Sequence, residues 1–257
     1  MNSTTRIVVI NLERSAQRRQ LMAAQLDGLG LAHEFFRAVD GRALSEDEVA
    51  VCYSPTRAAT TGWKELSRGE IGCALSHQGV WQALVDSGDA GWVVLEDDAV
   101  LAPEAPAVMA ALPSLARDGD VVLLVPGPEQ SYAFRQQSLP SGHRLAYVNQ
   151  LQFLATGYYI TPLAARRLLA ATRPLWCPID WWYSSPGLKG VTPIRIVLPA
   201  VVRPRPEEQN PSEIGGRETK RARPATRRGW RPGWYESYRR WRIRIKNRYL
   251  RRPVRFR

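Results

Sequence analysis

Three consecutive carboxylates, Glu96, Asp97 and Asp98, directly follow the apolar run Trp92–Leu95. This short run after Gly91 is typical of a buried strand in a parallel sheet. Carboxylates at the C-terminal end of such a strand would lie where open α/β sheets place their ligand crevice. Because side chains alternate along a strand, Glu96 and Asp98 are predicted to face one way and Asp97 the other.

Two carboxylates on one side of a strand are hard oxygen ligands, which suit Mg²⁺ or Mn²⁺ bound together with a phosphate group. Glu96 and Asp98 are therefore the candidate metal ligands, and Asp98 is the strongest single candidate. The alternative is a solvated acidic turn, which is the commoner explanation for an isolated acidic triplet. The surrounding sequence has to decide between the two.

Charge divides the chain into a body and a tail. The 257 residues carry a net charge of +12, but residues 217–257 alone contain 17 Lys/Arg and 2 Asp/Glu, which leaves −3 for residues 1–216. We predict a mildly acidic globular domain over residues 1–216 and a separate basic, aromatic-rich tail over residues 217–257.

Cysteine usage and hydropathy indicate a cytoplasmic chain. Cys52, Cys73 and Cys177 show no CxxC or His-paired spacing, which argues against a disulfide framework or a zinc site and fits a reducing compartment. The N-terminus lacks the pattern of a signal peptide, and no apolar run reaches the roughly 18 residues of a membrane span. The expected location is the cytoplasm.

Strand and helix patterns alternate, which predicts the α/β class. Arg6–Asn11 is an apolar strand, followed by a helix with Leu21, Met22 and Leu26 on one face and a second strand over Glu34–Ala38. No glycine-rich phosphate loop follows the first strand. Residues 43–63 are predicted to be a loop with a short helical piece, and Ile194–Leu198 is the last clear strand.

A capping box precedes the longest predicted helix. Ser67 and Glu70 form the S-x-x-E pattern that opens a helix, which Gly88 closes. Glu70 and His77 are seven residues apart and therefore share a face of this otherwise packed helix. Each has a simple structural alternative, a helix cap for Glu70 and a buried hydrogen-bonding group for His77. Cys73 is expected to fill the core.

Taken in order, these segments resemble glycosyltransferase family 25, which includes bacterial lipooligosaccharide galactosyltransferases and collagen galactosyltransferases. The resemblance covers roughly residues 5–216, and no single fragment carries it alone. The matching segments, in chain order, are IVVINLERSAQRR, AVDG, LSRGEIGCALSH, WVVLEDDAVL, GYYITPLAARRLL, CPID and PSEIGG.

The resemblance implies a GT-A-like fold, a nucleotide-sugar-binding mixed sheet flanked by helices, with a metal-binding acidic motif. It also implies transfer of a sugar, commonly galactose from UDP-galactose, to an acceptor hydroxyl with inversion. A divalent cation, Mn²⁺ or Mg²⁺, would stabilise the charge that develops on the leaving diphosphate. In this setting the metal interpretation of Glu96 and Asp98 outweighs the solvated turn.

Donor-binding residues are expected at the ends of the first two strands and on the capped helix. Arg14 or Arg18 could bind the base or phosphates, and Asp40 could accept ribose hydroxyls, although Arg18 as a solvated helix residue and Asp40 as a turn residue are the alternatives. The predicted donor-binding set is Asn11, Leu12, Arg14, Arg18, Asp40, Glu70 and His77.

Two aspartates are assigned catalytic roles. Inverting transfer needs a base near the acceptor hydroxyl, and Asp180 is the only carboxylate of the aromatic segment 174–190. Trp181, Trp182 and Tyr183 could stack on a sugar beside it. A loop aspartate that caps backbone amides is the alternative. Asp97 is expected to support the metal ligands or to contact the transferred sugar.

The tail has the pattern of an amphipathic helix. Trp234, Tyr238, Trp241, Ile245 and Tyr249 follow a helical spacing and are surrounded by arginine and lysine. Such a helix is typical of binding to an anionic membrane surface, which would place the protein at the inner face of the cytoplasmic membrane, beside a glycolipid acceptor. Nucleic-acid binding by a non-enzymatic protein and a disordered solubilising tail are the alternatives.

Overall fold

The structure is a computed structural model, and it describes residues 5–125, 130–132, 136–147, 155–182, 191–206 and 251–253. The side chains of residues 130–132, 181–182 and 251–253 are outside this description. Its strands are β1 (Arg6–Asn11), β2 (Glu34–Arg37), β3 (Trp92–Glu96), β4 (Ala99–Leu101), β5 (Val121–Leu123), β6 (Gln130–Tyr132), β7 (Gln137–Ser138), β8 (Arg144–Tyr147), β9 (Gly157–Ile160), β10 (Ile194–Leu198), β11 (Val202–Pro204) and β12 (Arg251–Pro253).

Within the described residues, eight strands form one mixed sheet in the order β2-β1-β3-β9-β5-β10-β8-β7. β2, β1 and β3 run parallel, as do β5 and β10. β9 lies between β3 and β5 and is antiparallel to both. The predicted mixed α/β sheet is therefore confirmed. The three strands at one end of the sheet, β2, β1 and β3, direct their carboxyl ends to the same edge.

The helices include one much longer than the rest, and this helix carries several site residues. The helices are α1 (Ala16–Gly28), α2 (Glu46–Cys52), α3 (Pro55–Thr60), α4 (Arg68–Ser87), α5 (Ala105–Leu115), α6 (Pro162–Thr172) and α7 (Ile179–Trp182). α4 packs against β1, α6 and α7. The capping box predicted for α4 is present, since Ser67 and Glu70 each bond to the other's backbone N–H.

The opening strand, helix and strand agree closely with the sequence prediction, with two differences. β1 has the predicted bounds and is buried from Ile7 onward. β2 ends at Arg37, one residue before the predicted end. On α1, Met22 and Leu26 are fully buried, whereas Leu21 is 46% exposed and does not belong to the buried face.

Residues 43–63, predicted to be a loop with a short helical piece, contain two helices, α2 and α3. A 3₁₀ turn (Gly41–Ala43) ends at the first of these residues. α2 begins with the same capping box as α4, formed by Ser45 and Glu48. The prediction underestimated the helix content because α2 has no fully buried residue and so shows little apolar periodicity. Its helix signal lies in the cap.

Two glycines bring the chain after β2 into backbone contact with α4. A Cβ at Gly72 would lie 2.5 Å from the Gly41 nitrogen and 2.7 Å from the Val39 oxygen. A Cβ at Gly41 would collide with the backbone carbonyl of Arg68. Only glycine fits at both positions, and this close packing fixes the Asp40 turn against the start of α4.

The predicted amphipathic helix of the tail, Trp234 to Tyr249, lies outside the described residues. The part of the tail that is described is β12, which pairs antiparallel with β6. A chain segment beyond residue 216 therefore contacts the body. No helix in the described part of the chain combines the length and apolar character needed to cross a membrane.

Candidate active site

The three consecutive carboxylates lie at the carboxyl end of β3, as predicted, but they are not all part of the strand. β3 ends at Glu96, Asp97 and Asp98 form a turn, and β4 begins at Ala99. The strand alternation used to assign their directions therefore stops at Glu96, and that basis for the prediction was wrong. We call Glu96–Asp98 the acidic turn.

Asp97 is held by β1 and α1 at the same time. Asn11 at the end of β1 donates a hydrogen bond from Nδ2 to Asp97 Oδ2 at 2.7 Å. The Arg18 guanidinium donates to Asp97 Oδ1 at 3.1 Å. Burial raises the pKa of Asp97, and the bonds from Asn11 and Arg18 oppose that rise. Asp97 thus fixes the acidic turn to the neighbouring strand.

Asp98 is the carboxylate of the turn whose charge is least compensated. Its Oδ1 atom is buried and accepts no hydrogen bond from the described residues. Burial, and then the adjacent charges of Glu96 and Asp97, raise the pKa of Asp98 to about 7. A divalent cation would offset the excess negative charge around Asp98 and could bind its unused buried oxygen.

Glu96 faces α4 rather than α1. Its Oε1 atom lies 3.2 Å from His77 Nε2 and 3.9 Å from Cys73 Sγ. His77 Nδ1 lies 2.8 Å from the Tyr158 hydroxyl, which accepts a hydrogen bond from Trp81 Nε1 at 2.9 Å. His77 is fully buried, so it acts on the site through Glu96. The prediction that it lines the donor cleft has no support in this geometry.

A cleft of about 690 Å³ opens at the carboxyl ends of β1 and β2. Its walls come from three segments: Leu12 to Arg14 after β1, Arg37 to Asp40 after β2, and Ala43, Leu44 and Glu48. The volume lies in the range of small-molecule sites. Leu12, Arg14 and Asp40, three of the predicted donor-binding residues, line it.

An ion pair crosses this cleft, from Arg14 to the Asp40 carboxylate. Asp40 also accepts a hydrogen bond from the Arg42 backbone N–H at 3.1 Å. The Arg14 contact, followed by the Arg42 N–H, lowers the pKa of Asp40. Asp40 is therefore a charged acceptor at the rim, in a position to bind hydroxyl groups of a ligand.

The strand register relates the position of the cleft to that of the acidic turn. Ile10 of β1 pairs with Glu96 of β3, and the next residue, Asn11, pairs with Arg37 of β2. Neighbouring strands are about 4.8 Å apart. The end of β1 therefore lies between the cleft and the acidic turn. Asn11 at this end and Arg18 on α1 both donate hydrogen bonds to the acidic turn.

Two further predicted residues lie on or beside α4. Glu70 accepts a hydrogen bond from the Ser67 N–H at 2.8 Å and caps the helix; its donor role stays a prediction. Asp180 is half-buried on α7, which packs against α4. The side chains of Trp181 and Trp182, and all of Tyr183, lie outside the described residues, so the stacking prediction stays open.

The family model described as "Glycosyltransferase family 25 (LPS biosynthesis protein)" matches residues 4–182. This match covers well over half of the chain. The chain belongs to glycosyltransferase family 25. The resemblance drawn from the motifs is thereby confirmed, and the matched range contains both the acidic turn and the cleft.

Family 25 relatives align with this chain over different lengths. A "Glycosyltransferase 25 family member" of Aedes aegypti is 44% identical over 95 residues, covering 36% of this chain and 16% of that protein. "Procollagen galactosyltransferase 1" of Danio rerio is 27% identical over 220 residues, covering 82% of this chain and 34% of that protein. "Inactive glycosyltransferase 25 family member 3" of Mus musculus is 36% identical over 95 residues, covering 36% and 16%. The chain spans about a third or less of these relatives.

The fold also brings together Cys73, His77 and Glu96, which the sequence analysis did not connect. Cys73 and His77 are four residues apart on α4, a His-paired spacing that places both on one helix face. The statement that no cysteine has such a spacing was wrong. Cys73 does pack against the core as expected, but its thiol also lies 3.9 Å from Glu96 Oε1. The partner from β3, Glu96, follows only from the packing of α4 on the sheet.

Proposed function

We propose that the chain is a glycosyltransferase that moves galactose from UDP-galactose to a saccharide hydroxyl, with inversion at the anomeric carbon. The observation that carries the proposal is the acidic turn fixed by Asn11 and Arg18 beside a cleft at the end of β1. Family membership and the galactosyltransferase name of one relative support the choice of reaction and donor.

The donor-binding surface would have two parts. Leu12 and Arg14 would contact the uridine in the cleft, and Asp40 would accept its ribose hydroxyls. The diphosphate would extend toward the acidic turn, where Arg18 adds a positive charge. This arrangement would put the nucleotide at the carboxyl ends of parallel strands, as expected for a GT-A-like fold.

The acidic turn fits a divalent cation, Mn²⁺ or Mg²⁺. Asp98 has a buried oxygen without a hydrogen-bond donor among the described residues, and a pKa raised to about 7 by burial and two adjacent carboxylates. Asp98 and Glu96 would hold the ion, which would neutralise the charge on the departing diphosphate. Asp97 would keep the turn in position through Asn11 and Arg18.

Asp180 would serve as the general base. The acceptor hydroxyl attacks the anomeric carbon as the bond from that carbon to the diphosphate oxygen breaks, and Asp180 takes the hydroxyl proton. UDP leaves with both electrons of the broken bond. The short helix α7 places Asp180 beside α4, whose residues also reach the acidic turn through Glu96.

We further propose an acceptor of the lipid-linked, lipopolysaccharide type at the inner face of the cytoplasmic membrane. Family 25 is described as a family of LPS biosynthesis proteins, which supports this class of acceptor. Residues 217–257, with 17 Lys/Arg, would bind anionic lipid. Flotation of the full chain with anionic liposomes, compared with a chain ending at residue 216, tests this; equal flotation would contradict it.

A donor screen tests the reaction itself. Release of UDP from several UDP-sugars is measured with and without Mn²⁺ and a saccharide acceptor, and UDP-galactose with Mn²⁺ should give the highest rate. Asp180→Asn should retain donor binding but lose transfer to the acceptor. Asp118→Asn, an exposed aspartate that precedes β5, is the matched control. No metal-dependent UDP release from any donor would contradict the proposal.

A further inference from the structure

A second group of possible metal ligands lies behind the acidic turn. Cys73 and His77 are one helical turn apart on α4, and Glu96 ends β3. Cys73 Sγ, His77 Nε2 and the Glu96 carboxylate lie within 4.8 Å of one another. His77 Nε2 lies 3.2 Å and Cys73 Sγ 3.9 Å from Glu96 Oε1. Three possible ligand atoms therefore lie close to one another.

We propose that Cys73, His77 and Glu96 form a binding site for Zn²⁺ or a similar borderline transition-metal ion. Thiolate and imidazole ligands favour such ions, whereas Mg²⁺ and Ca²⁺ prefer oxygen ligands alone. This chemistry separates the site from the oxygen-only pair of Glu96 and Asp98. Three protein ligands leave a fourth position open, as in zinc sites that bind water or substrate.

The surroundings of His77 already resemble those of a metal-bound histidine. Such histidines usually engage their second ring nitrogen in a hydrogen bond that orients the ring. Here Nδ1 lies 2.8 Å from the Tyr158 hydroxyl, and the two rings stack with centroids 5.7 Å apart. Because His77 is fully buried, its Nε2 is held toward Glu96 and Cys73.

The Tyr158 hydroxyl can serve both forms of His77. The Trp81 indole can only donate, so it occupies one lone pair of the hydroxyl oxygen. Without a metal, the Tyr158 proton can go to Nδ1 while Nε2–H points at Glu96. With a metal on Nε2, the imidazole ring carries its proton on Nδ1 instead. His77 Nδ1–H then donates to the second lone pair of the Tyr158 hydroxyl oxygen. The same contacts therefore suit either tautomer.

Sharing of Glu96 links this site to the proposed transfer reaction. An ion held by Cys73 and His77 would draw Glu96 away from Asp98, so Zn²⁺ should weaken the Mn²⁺-dependent binding of UDP-galactose. This consequence rests on the proposed function, whereas zinc binding itself does not. A protein that binds Zn²⁺ but transfers no sugar would contradict only the transferase proposal.

Cobalt spectroscopy tests the site directly. The reduced, metal-free full chain is titrated with Co²⁺, and a thiolate-to-cobalt charge-transfer band should appear with one ion per chain and disappear when Zn²⁺ is added. Cys73→Ser should lose the band and weaken zinc binding, because it removes the thiolate ligand. Tyr158→Phe should weaken zinc binding while the band persists. Cys52→Ser is the matched control, because Cys52 lies on α2 outside the cluster, and it should retain the band.

Thiol protection tests the site in the unmodified protein, where the folding of a variant plays no part. Zn²⁺ should slow the alkylation of Cys73 by iodoacetamide and leave the alkylation rate of Cys52 unchanged. Peptide mass spectrometry measures both rates. A band that persists in Cys73→Ser, or alkylation of Cys73 that Zn²⁺ does not slow, would overturn the proposal.

Discussion

Asn11 and Asp97 are 86 residues apart in sequence, yet Asn11 Nδ2 donates to Asp97 Oδ2 over 2.7 Å. This bond ties the end of β1, where the cleft begins, to the acidic turn after β3. It gives Asn11 a positioning role, and it explains why the last residue of β1 is a buried asparagine.

Removal of this bond should impair transfer more than it impairs folding. We expect Asn11→Ala to lower the rate of UDP release at saturating donor by roughly tenfold, since a hydrogen bond to a charged group contributes about 1.5–3 kcal/mol. Asn11→Asp, which places a second carboxylate against Asp97, should lower it further. Wild-type rates in both variants would show that the bond does not position the turn.

Asp98→Asn should stabilise the fold at high pH. The carboxyl pKa is about 7 in the folded chain, above the ordinary value of about 3.9 in an unfolded chain. Folding therefore disfavours the charged form of Asp98. The resulting destabilisation of the folded state is absent below the pKa of the unfolded chain and reaches its full size above pH 7. Melting curves should show the variant more stable by roughly 2–4 kcal/mol at pH 8 and unchanged near pH 3. Equal stability of the two proteins at pH 8 would contradict the raised pKa.

Gly72→Ala should destabilise the protein because α4 and the Asp40 turn meet without room for a Cβ. Overpacking at such a contact costs about 1–3 kcal/mol. Gly28→Ala on α1 is the matched control: a Cβ there meets nothing within 4 Å, and alanine favours helix. Denaturant unfolding should show a loss for Gly72→Ala and no loss for Gly28→Ala. Equal midpoints for the two would mean that the contact relaxes without cost.

Arg14→Ala should raise KM for UDP-galactose without a measurable change in unfolding. The pair of Arg14 and Asp40 is exposed at the rim of the cleft, and exposed ion pairs contribute little to stability. Arg173→Ala, an exposed arginine after α6, removes the same charge away from the cleft and should leave KM unchanged. An unchanged KM in Arg14→Ala would place the nucleotide elsewhere.

Local signals in the sequence were enough to predict the elements that carry the site. β1 and β3 are buried apolar runs, and α4 has both its capping box and its terminal glycine, so their positions do not depend on distant contacts. The acidic turn could be predicted for the same reason. The direction of each carboxylate could not, because it depends on where β3 ends and on which elements pack beside it.

Contacts between distant segments account for the remaining differences. Glu96 meets Cys73 and His77 only because α4 packs on the sheet, and His77 is oriented by Tyr158 from β9, 81 residues away. The antiparallel insertion of β9 between β3 and β5 has no signature in a four-residue strand. α2 could have been found from Ser45 and Glu48, which repeat the capping pattern seen before α4.

The central claim is that the acidic turn binds the donor through a divalent cation. Calorimetric titration of the full chain with UDP-galactose, with and without Mn²⁺, measures this directly. Binding should require Mn²⁺ in the wild-type protein and in Asp118→Asn, and Asp98→Asn should bind at least tenfold more weakly. Equal, Mn²⁺-dependent affinity in Asp98→Asn and the wild-type protein would contradict the account.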